Sequence, residues 1–342
     1  TTLINVFGRK NVKWAVCLTG FIVGIALFYE IGFVLLIPLV FTIAAEAKIP
    51  LLEVGIPMAA ALSVTHGFLP PHPGPTAIAI IYNADIGVTL VYGAIIAIPT
   101  AIVAGPVFYN FTKGINPEIP KGLYNPKIFE DHEMLGVSVF TALVPVVLMA
   151  ASAIAKLALD QSSPVAVALE FLGQPDMALT ISVAIAVYTF GLARGKKMDE
   201  IMNTVKDAIL AIAMILLIVG AGGALTYIGT LVADASLSPL VLAWLLAAVI
   251  RTACGSATVA ALTAGGIAAP ICAATGANPE LMVLATGAGS LIFSPPNDPG
   301  FWLFKEFFGL TVKETVRTWC ALETIIAIMG LIGVLVLNTV VA

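Results

Sequence analysis

Two short stretches place chemistry where an apolar chain would ordinarily have none. "PPHPG" at Pro70–Gly74 holds His72 among prolines, and "PPNDPG" at Pro295–Gly300 holds Asn297 and Asp298. Proline and glycine break helices, and a charged side chain at mid-membrane costs about 2.5–3.5 kcal/mol on insertion scales. Asp298 therefore reads either as a carrier of a coupled proton or cation or as the cap of a half-helix N-terminus. Glu30, in "YEIGF" (Tyr29–Phe33), has the same two readings. His72 titrates near neutral pH, which suits proton transfer; its other reading is a neutral ring bonded to a carbonyl freed by the prolines. His66, on the apolar helix before the break, takes that second reading.

Half-helices beginning at Thr76 and Phe301 would aim their N-terminal N–H groups at the centre of the molecule, an arrangement that favours an anion. Ser256 and Thr258 add hydroxyls and Asn297 adds amide donors. Gly32, His72, Gly74, Thr76, Gly255 and Ser294 complete the candidate binding set. This chemistry suits a small carboxylate bearing several hydroxyls. Arg251 either pairs with a carboxylate, of the substrate or of Asp298, or snorkels to the interface.

The elements that must position these groups are membrane helices. The 342 residues are 60% hydrophobic and 11% charged, with a mean hydropathy of +1.05; soluble domains carry about 25% charge. Apolar runs such as Met134–Leu157, Met177–Leu192 and Leu322–Val341 recur along the chain, near the ~20 residues that span a bilayer. No basic patch points to nucleic acid. Cys17, Cys254, Cys272 and Cys320 lie in or beside apolar helices and read as inert packing, without disulfide, metal or other cofactor. The chain begins Thr-Thr-Leu without a signal-peptide pattern, as a piece of a longer protein would.

Lysine and arginine collect in cytoplasmic loops. Arg9, Lys10 and Lys13 precede the first apolar run, and 112–133, 194–206 and 305–317 carry most of the others. Every Lys and Arg except Lys156 and Arg251 falls on one face if 14–46 and 239–274 are re-entrant hairpins, with tips at "YEIGF" and "CGSAT" (Cys254–Thr258). The hairpins then open to opposite faces. Gly32 precedes Pro70 by 38 residues and Gly255 precedes Pro295 by 40. The predicted architecture is all-α and polytopic, with two inverted repeats. Residues 1–111 hold hairpin 14–46, broken helix 51–84 and span 88–111. Residues 112–236 hold a cytoplasmic loop and connecting spans, the last being Met202–Val232. Residues 237–342 hold hairpin 239–274, broken helix 280–308 and span 318–341. Inverted repeats with broken helices at the midplane are the pattern of secondary transporters.

An intramembrane enzyme is the remote alternative: the sequence has no H-E-x-x-H pair, no G-x-S-x-G elbow and no second membrane aspartate for a dyad. Two repeats around proline-built breaks favour alternating access over a passive channel.

"HGFLPPHPGPTAIA" (His66–Ala79), "GSATVAALTAGG" (Gly255–Gly266) and "NDPGFWLFKEFFGLTVKET" (Asn297–Thr315) resemble the gluconate permease family of bacterial symporters. The resemblance implies import of gluconate or a related sugar acid with protons, with D-serine or another small hydroxy or amino acid as the alternative within the family. It also implies a multi-pass protein of the bacterial inner membrane, a homodimer and elevator-like movement against a scaffold, which is read here as spans 136–157 and 178–193 together with the N-terminal spans that family chains carry. Family chains carry further spans before the first residue here and are longer around Gly223–Ser238. They often have a histidine and an aliphatic residue where this chain has Pro295 and Pro296.

Overall fold

The computed structural model describes residues 8, 11–118, 135–160, 162–206 and 237–341. Among them every regular element is a helix, and six helices are long and apolar enough to cross a membrane. The predicted span Met202–Val232 lies outside the described residues beyond 206, as do the longer-family region at 223–236 and Arg9, Lys10, Lys121 and Lys127.

Proline and glycine set the element boundaries. Helices α1 (Val12–Ala26) and α2 (Tyr29–Ala47) meet at Leu27 and Phe28, and α3 (Leu51–Phe68) and α4 (Pro73–Tyr82) flank the first proline break. Helix α5 (Ile86–Thr112) follows. Helices α6 (Leu135–Ala158), α7 (Pro164–Leu172) and α8 (Pro175–Arg194) come next. Helices α9 (Pro239–Cys254) and α10 (Ala257–Thr275) meet at Gly255 and Ser256, and α11 (Pro279–Gly289) and α12 (Pro299–Phe307) flank the second proline break. Helix α13 (Val312–Val341) closes the chain. The sequence hairpin–broken helix–span thus occurs twice.

Two expected boundaries move. The first interruption falls at Leu27–Phe28, and "YEIGF" is the first turn of α2. The reason is packing: a Cβ on Gly32 would lie 2.9 Å from Leu62 Cδ2, so this glycine admits a neighbouring helix and does not bend the backbone. The half-helices begin at Pro73 and Pro299, ahead of Thr76 and Phe301, because proline is pre-organised for the first helical position and has no N–H to leave unpaired.

The two units pack by the same rules. α1 lies on α3 as α9 lies on α11, and α3 lies on α5 as α11 lies on α13. The second half of each broken helix crosses to the other unit, α4 onto α10 and α12 onto α2. The broken helices cross at Gly67 and Gly287, where a Cβ on Gly287 would collide with the Gly67 carbonyl. A buried hydrogen bond of 2.9 Å between Tyr82 and Thr286 ties the same crossing. This exchange encloses the first break, whose Leu69, Pro70, His72 and Gly74 are buried, whereas Phe293, Pro296, Asn297 and Pro299 of the second are exposed; irregular backbone at membrane depth is tolerated where protein buries it or a cavity borders it.

Two polar clusters gather at the turns between helices. In one, Lys156 on α6 reaches Asp85 at 2.6 Å and Glu170 at 3.7 Å, and the Asp85 N–H donates to Glu280 at 2.9 Å. In the other, Lys13 and Lys113 lie over the Tyr109 ring, whose hydroxyl donates to Glu53. Lys156 thus sits with the turns before α5 and α11. Helices α6–α8 expose large apolar side chains, among them Phe140, Val147, Ile154, Val167 and Phe171, a surface matched to lipid.

Candidate functional site

The second hairpin and second break are locked together by local capping. α9 ends on Gly255 at φ 71°, a left-handed position natural to glycine. The Asn297 backbone passes so close that a Cβ there would overlap it. The Asn297 side-chain amide donates to the Ala253 and Thr252 carbonyls at 3.2 and 3.4 Å, which finishes the end of α9. Ser256 caps α10 by accepting from the Val259 N–H, and Asp298 caps α12 by accepting from the Gly300 N–H at 2.9 Å. These caps bring the N-termini of α10 and α12 to one place.

A cavity of about 110 Å³ opens there. α10 contributes Ser256 and Thr258, α12 contributes Asp298 and Gly300, and α2 contributes Tyr29 and Glu30 from its own first turn. Ser63 and His66 enter from α3, Arg251 from α9, and Trp319 and Glu323 from α13. Both repeats therefore build the wall. An aromatic cluster fixes the frame: Phe33 of α2 meets Phe304, Phe307 and Phe308 of the α12 segment at 5.7–6.2 Å, and Phe304 stacks on Trp319 at 5.3 Å.

Arg251 is the electrostatic centre. It is 2% exposed, and its Nη2 pairs with the Asp298 carboxylate. Asp298 also accepts from the Ser294 hydroxyl, which in turn accepts from Trp319 Nε1 at 2.6 Å. The chain Trp319–Ser294–Asp298–Arg251 thereby holds the guanidinium in position. Nε and Nη1 of Arg251 are buried without a partner among the described residues. Guanidinium donors in a fork match a carboxylate, and leaving such donors unmet in a dry interior is costly. A carboxylate is the kind of group that would satisfy both.

The candidates from sequence fall into three groups. Glu30, Ser256, Thr258 and Asp298 line the cavity. Gly255, Ser294 and Asn297 stand behind it and set its geometry through the contacts above. Gly32 packs against Leu62. His72, Gly74 and Thr76 gather at the start of α4, where His72 faces His66 with ring centroids 4.4 Å apart and Phe28 at 4.9 Å. Both His72 ring nitrogens and the Thr76 hydroxyl are buried without partners among the described residues. His66, read from sequence as a packed neutral histidine, borders the cavity that holds Arg251. Cys254 is exposed at the tip of the second hairpin, whereas Cys17, Cys272 and Cys320 are buried.

Sequence reasoning passed over Ser63, Trp319 and Glu323. The signal for Glu323 was available: it is the carboxylate just inside the apolar run Leu322–Val341, and an ionisable residue within a span marks a functional site by default.

A polytopic helical membrane protein whose broken helices converge on a buried, charged cavity is, by class, a solute transporter. This chain belongs to the GntP family of permeases, whose model, described as GntP family permease, matches residues 1–340. It is 60% identical to a high-affinity gluconate transporter of Escherichia coli strain K12, over 100% of this chain and 81% of that protein. Identity to the Gnt-II system L-idonate transporter of the same strain is 53%, over 99% of this chain and 80% of that one. A gluconate permease of Bacillus subtilis strain 168 is 48% identical, over 99% of this chain and 81% of its own length. Among solved structures, the Alcanivorax borkumensis YdaH transporter, reported to have an unusual topology, shares the fold with a TM-score of 0.60 at 18% identity, covering 99% of this chain and 80% of that one.

Proposed function

We propose that the protein imports gluconate or a closely related sugar acid across the bacterial inner membrane together with a proton. The observation that carries this reading is Arg251, buried in a cavity built by both repeats with two donors unmet. The substrate carboxylate takes Nε and Nη1 of Arg251 beside the N-termini of α10 and α12, where helix dipoles favour negative charge. Its hydroxyls meet Ser63, Ser256, Thr258 and the Glu30 carboxylate. The relatives named for gluconate and L-idonate support a polyhydroxy acid.

Charge balance supports the proton. The wall holds one guanidinium against the carboxylates of Glu30, Asp298 and Glu323, so an added anion would raise the negative excess in a site sheltered from water. A proton taken up with the anion removes that excess and lets the loaded carrier cross at lower cost. The α1–α4 and α9–α12 elements, joined by the exchange of α4 and α12, would move as one body in an elevator-like step against α6–α8 in a homodimer.

The test is uptake of labelled gluconate into proteoliposomes under an inward proton gradient without sodium. Accumulation that an uncoupler abolishes, and that unlabelled gluconate or L-idonate blocks, is the expected result. Competition by D-serine in preference to sugar acids would reassign the substrate, and accumulation driven only by sodium would overturn the proton.

A further inference from the structure

We infer that Glu323 carries the coupled proton, taking it up in the cavity when the anion binds and releasing it when the anion leaves. The inference rests on the transport reading above and names the group that reading needs.

Three observations carry it. First, Glu323 is 1% exposed, on span α13, and borders the cavity that contains Arg251. Second, its neighbours offer no cation of its own: Arg251 is engaged by Asp298, and Oε1 of Glu323 has no hydrogen-bond partner among the described residues. A buried carboxylate with an unmet oxygen, sharing its nearest cation with another carboxylate, is costly when charged and tolerable when protonated. Third, the other cavity carboxylates are placed differently. Asp298 already holds Arg251, Ser294 and the Gly300 N–H, and Glu30 is half-buried in the first turn of α2.

The groups facing Glu323 set what its proton responds to. Tyr29 and Glu30 come from α2, Ser63 and His66 from α3, Arg251 from α9 and Asp298 from the cap of α12; Trp319 and Cys320 lie on its own helix segment. Ser63 and Glu323 share the cavity wall. An anion seated on Arg251 takes up the one positive charge that eases Glu323, so anion and proton favour each other's binding, and the effect is reciprocal. The proton enters from water on one side, rests on a Glu323 carboxyl oxygen during the crossing, and returns to water on the other. No bond other than O–H forms or breaks.

The experiment compares wild type, Glu323→Gln, Glu323→Asp, Glu30→Gln and Asp298→Asn in proteoliposomes, each first shown to be monodisperse. A gradient of one pH unit coupled to one proton supports about tenfold accumulation. Wild type should approach that value. Glu323→Gln should fall to no accumulation, with exchange of labelled for unlabelled gluconate reduced far less than net accumulation. Gluconate binding to wild type, titrated in two buffers of different ionisation enthalpy, should take up about one proton, and Glu323→Gln should take up none. If Glu323→Gln is not recovered folded, Glu323→Asp supplies the readout as an acid-shifted pH profile, since aspartate is the stronger acid; an unshifted profile overturns the inference. Proton-driven accumulation retained in Glu323→Gln, or pH dependence lost only in Glu30→Gln or Asp298→Asn, also overturns it while leaving the transport reading intact. Absence of gluconate uptake by wild type under any proton gradient removes both.

Discussion

Replacing Asp298 by alanine should destabilise the protein more than any single change at an exposed charge. The Arg251–Asp298 pair is nearly fully buried, with the two side chains 2% and 7% exposed. Removing one member of such a pair leaves an uncompensated charge in the interior, at a cost of about 3–5 kcal/mol. Loss of the α12 cap adds about 1 kcal/mol, and the Ser294 hydroxyl loses its acceptor. At roughly 2–4 °C per kcal/mol for a chain somewhat smaller than this one, the midpoint of thermal unfolding should fall by about 8 °C or more. The assay is thermal unfolding of the purified protein in detergent, with and without gluconate. Arg251→Met combined with Asp298→Leu should recover much of the loss, because well-packed apolar side chains replace a buried pair at little cost. That recovered double variant should show no stabilisation by gluconate, since the donors for its carboxylate are gone. A drop within about 2 °C for Asp298→Ala, or single effects that simply add in the double variant, would refute the reasoning: the two charges would then not depend on each other.

Gly255→Ala should reduce the yield of folded protein sharply, because the residue sits at φ 71° with the Asn297 backbone against it; the left-handed conformation alone costs about 1–2 kcal/mol, and a monodisperse size-exclusion profile at wild-type yield would contradict the crossing. Asp85, outside the spans, supplies a pH test. Burial raises its carboxyl, but the Lys156 ammonium and the Val88 and Gly87 N–H groups more than offset that and hold it below the ordinary carboxylate range. Its stabilising contribution is therefore present above the unfolded-state value and is lost as pH falls through the folded-state value. Asp85→Asn should lower the unfolding midpoint at neutral pH and make little difference in strong acid; an equal deficit at both would remove the ion pair from the account.

Much of the fold is legible because its breakers are strong and its spans long. Pro73, Pro239, Pro279 and Pro299 each stand at the first turn of a helix, where proline's fixed φ and missing N–H leave little choice. Gly255 and Ser256 mark the second interruption for equally local reasons. The first interruption was misplaced because Gly32 looks the same in sequence whether it bends a chain or admits Leu62, and only the neighbouring helix decides. Likewise, Asn297 and Ser294 carry donors suited to an anion, but the structure directs those donors to the end of α9 and to Asp298.

Sequence spacing shows which polar groups lie near a break, not which of them face inward. That depends on the exchange of α4 and α12 between the units, a contact far apart in sequence. Glu323 illustrates the limit from the other side. A search centred on the breaks favours Asp298, whose carboxylate is already bound by Arg251, Ser294 and the Gly300 N–H. A carboxylate whose partners are fixed has little freedom to take up a proton from water when an anion binds. One on an unbroken span, buried beside the same arginine without a cation of its own, has every physical reason to do so. The breaks create the cavity and orient the arginine, and on the proposed reading the span behind them supplies the group that changes its charge.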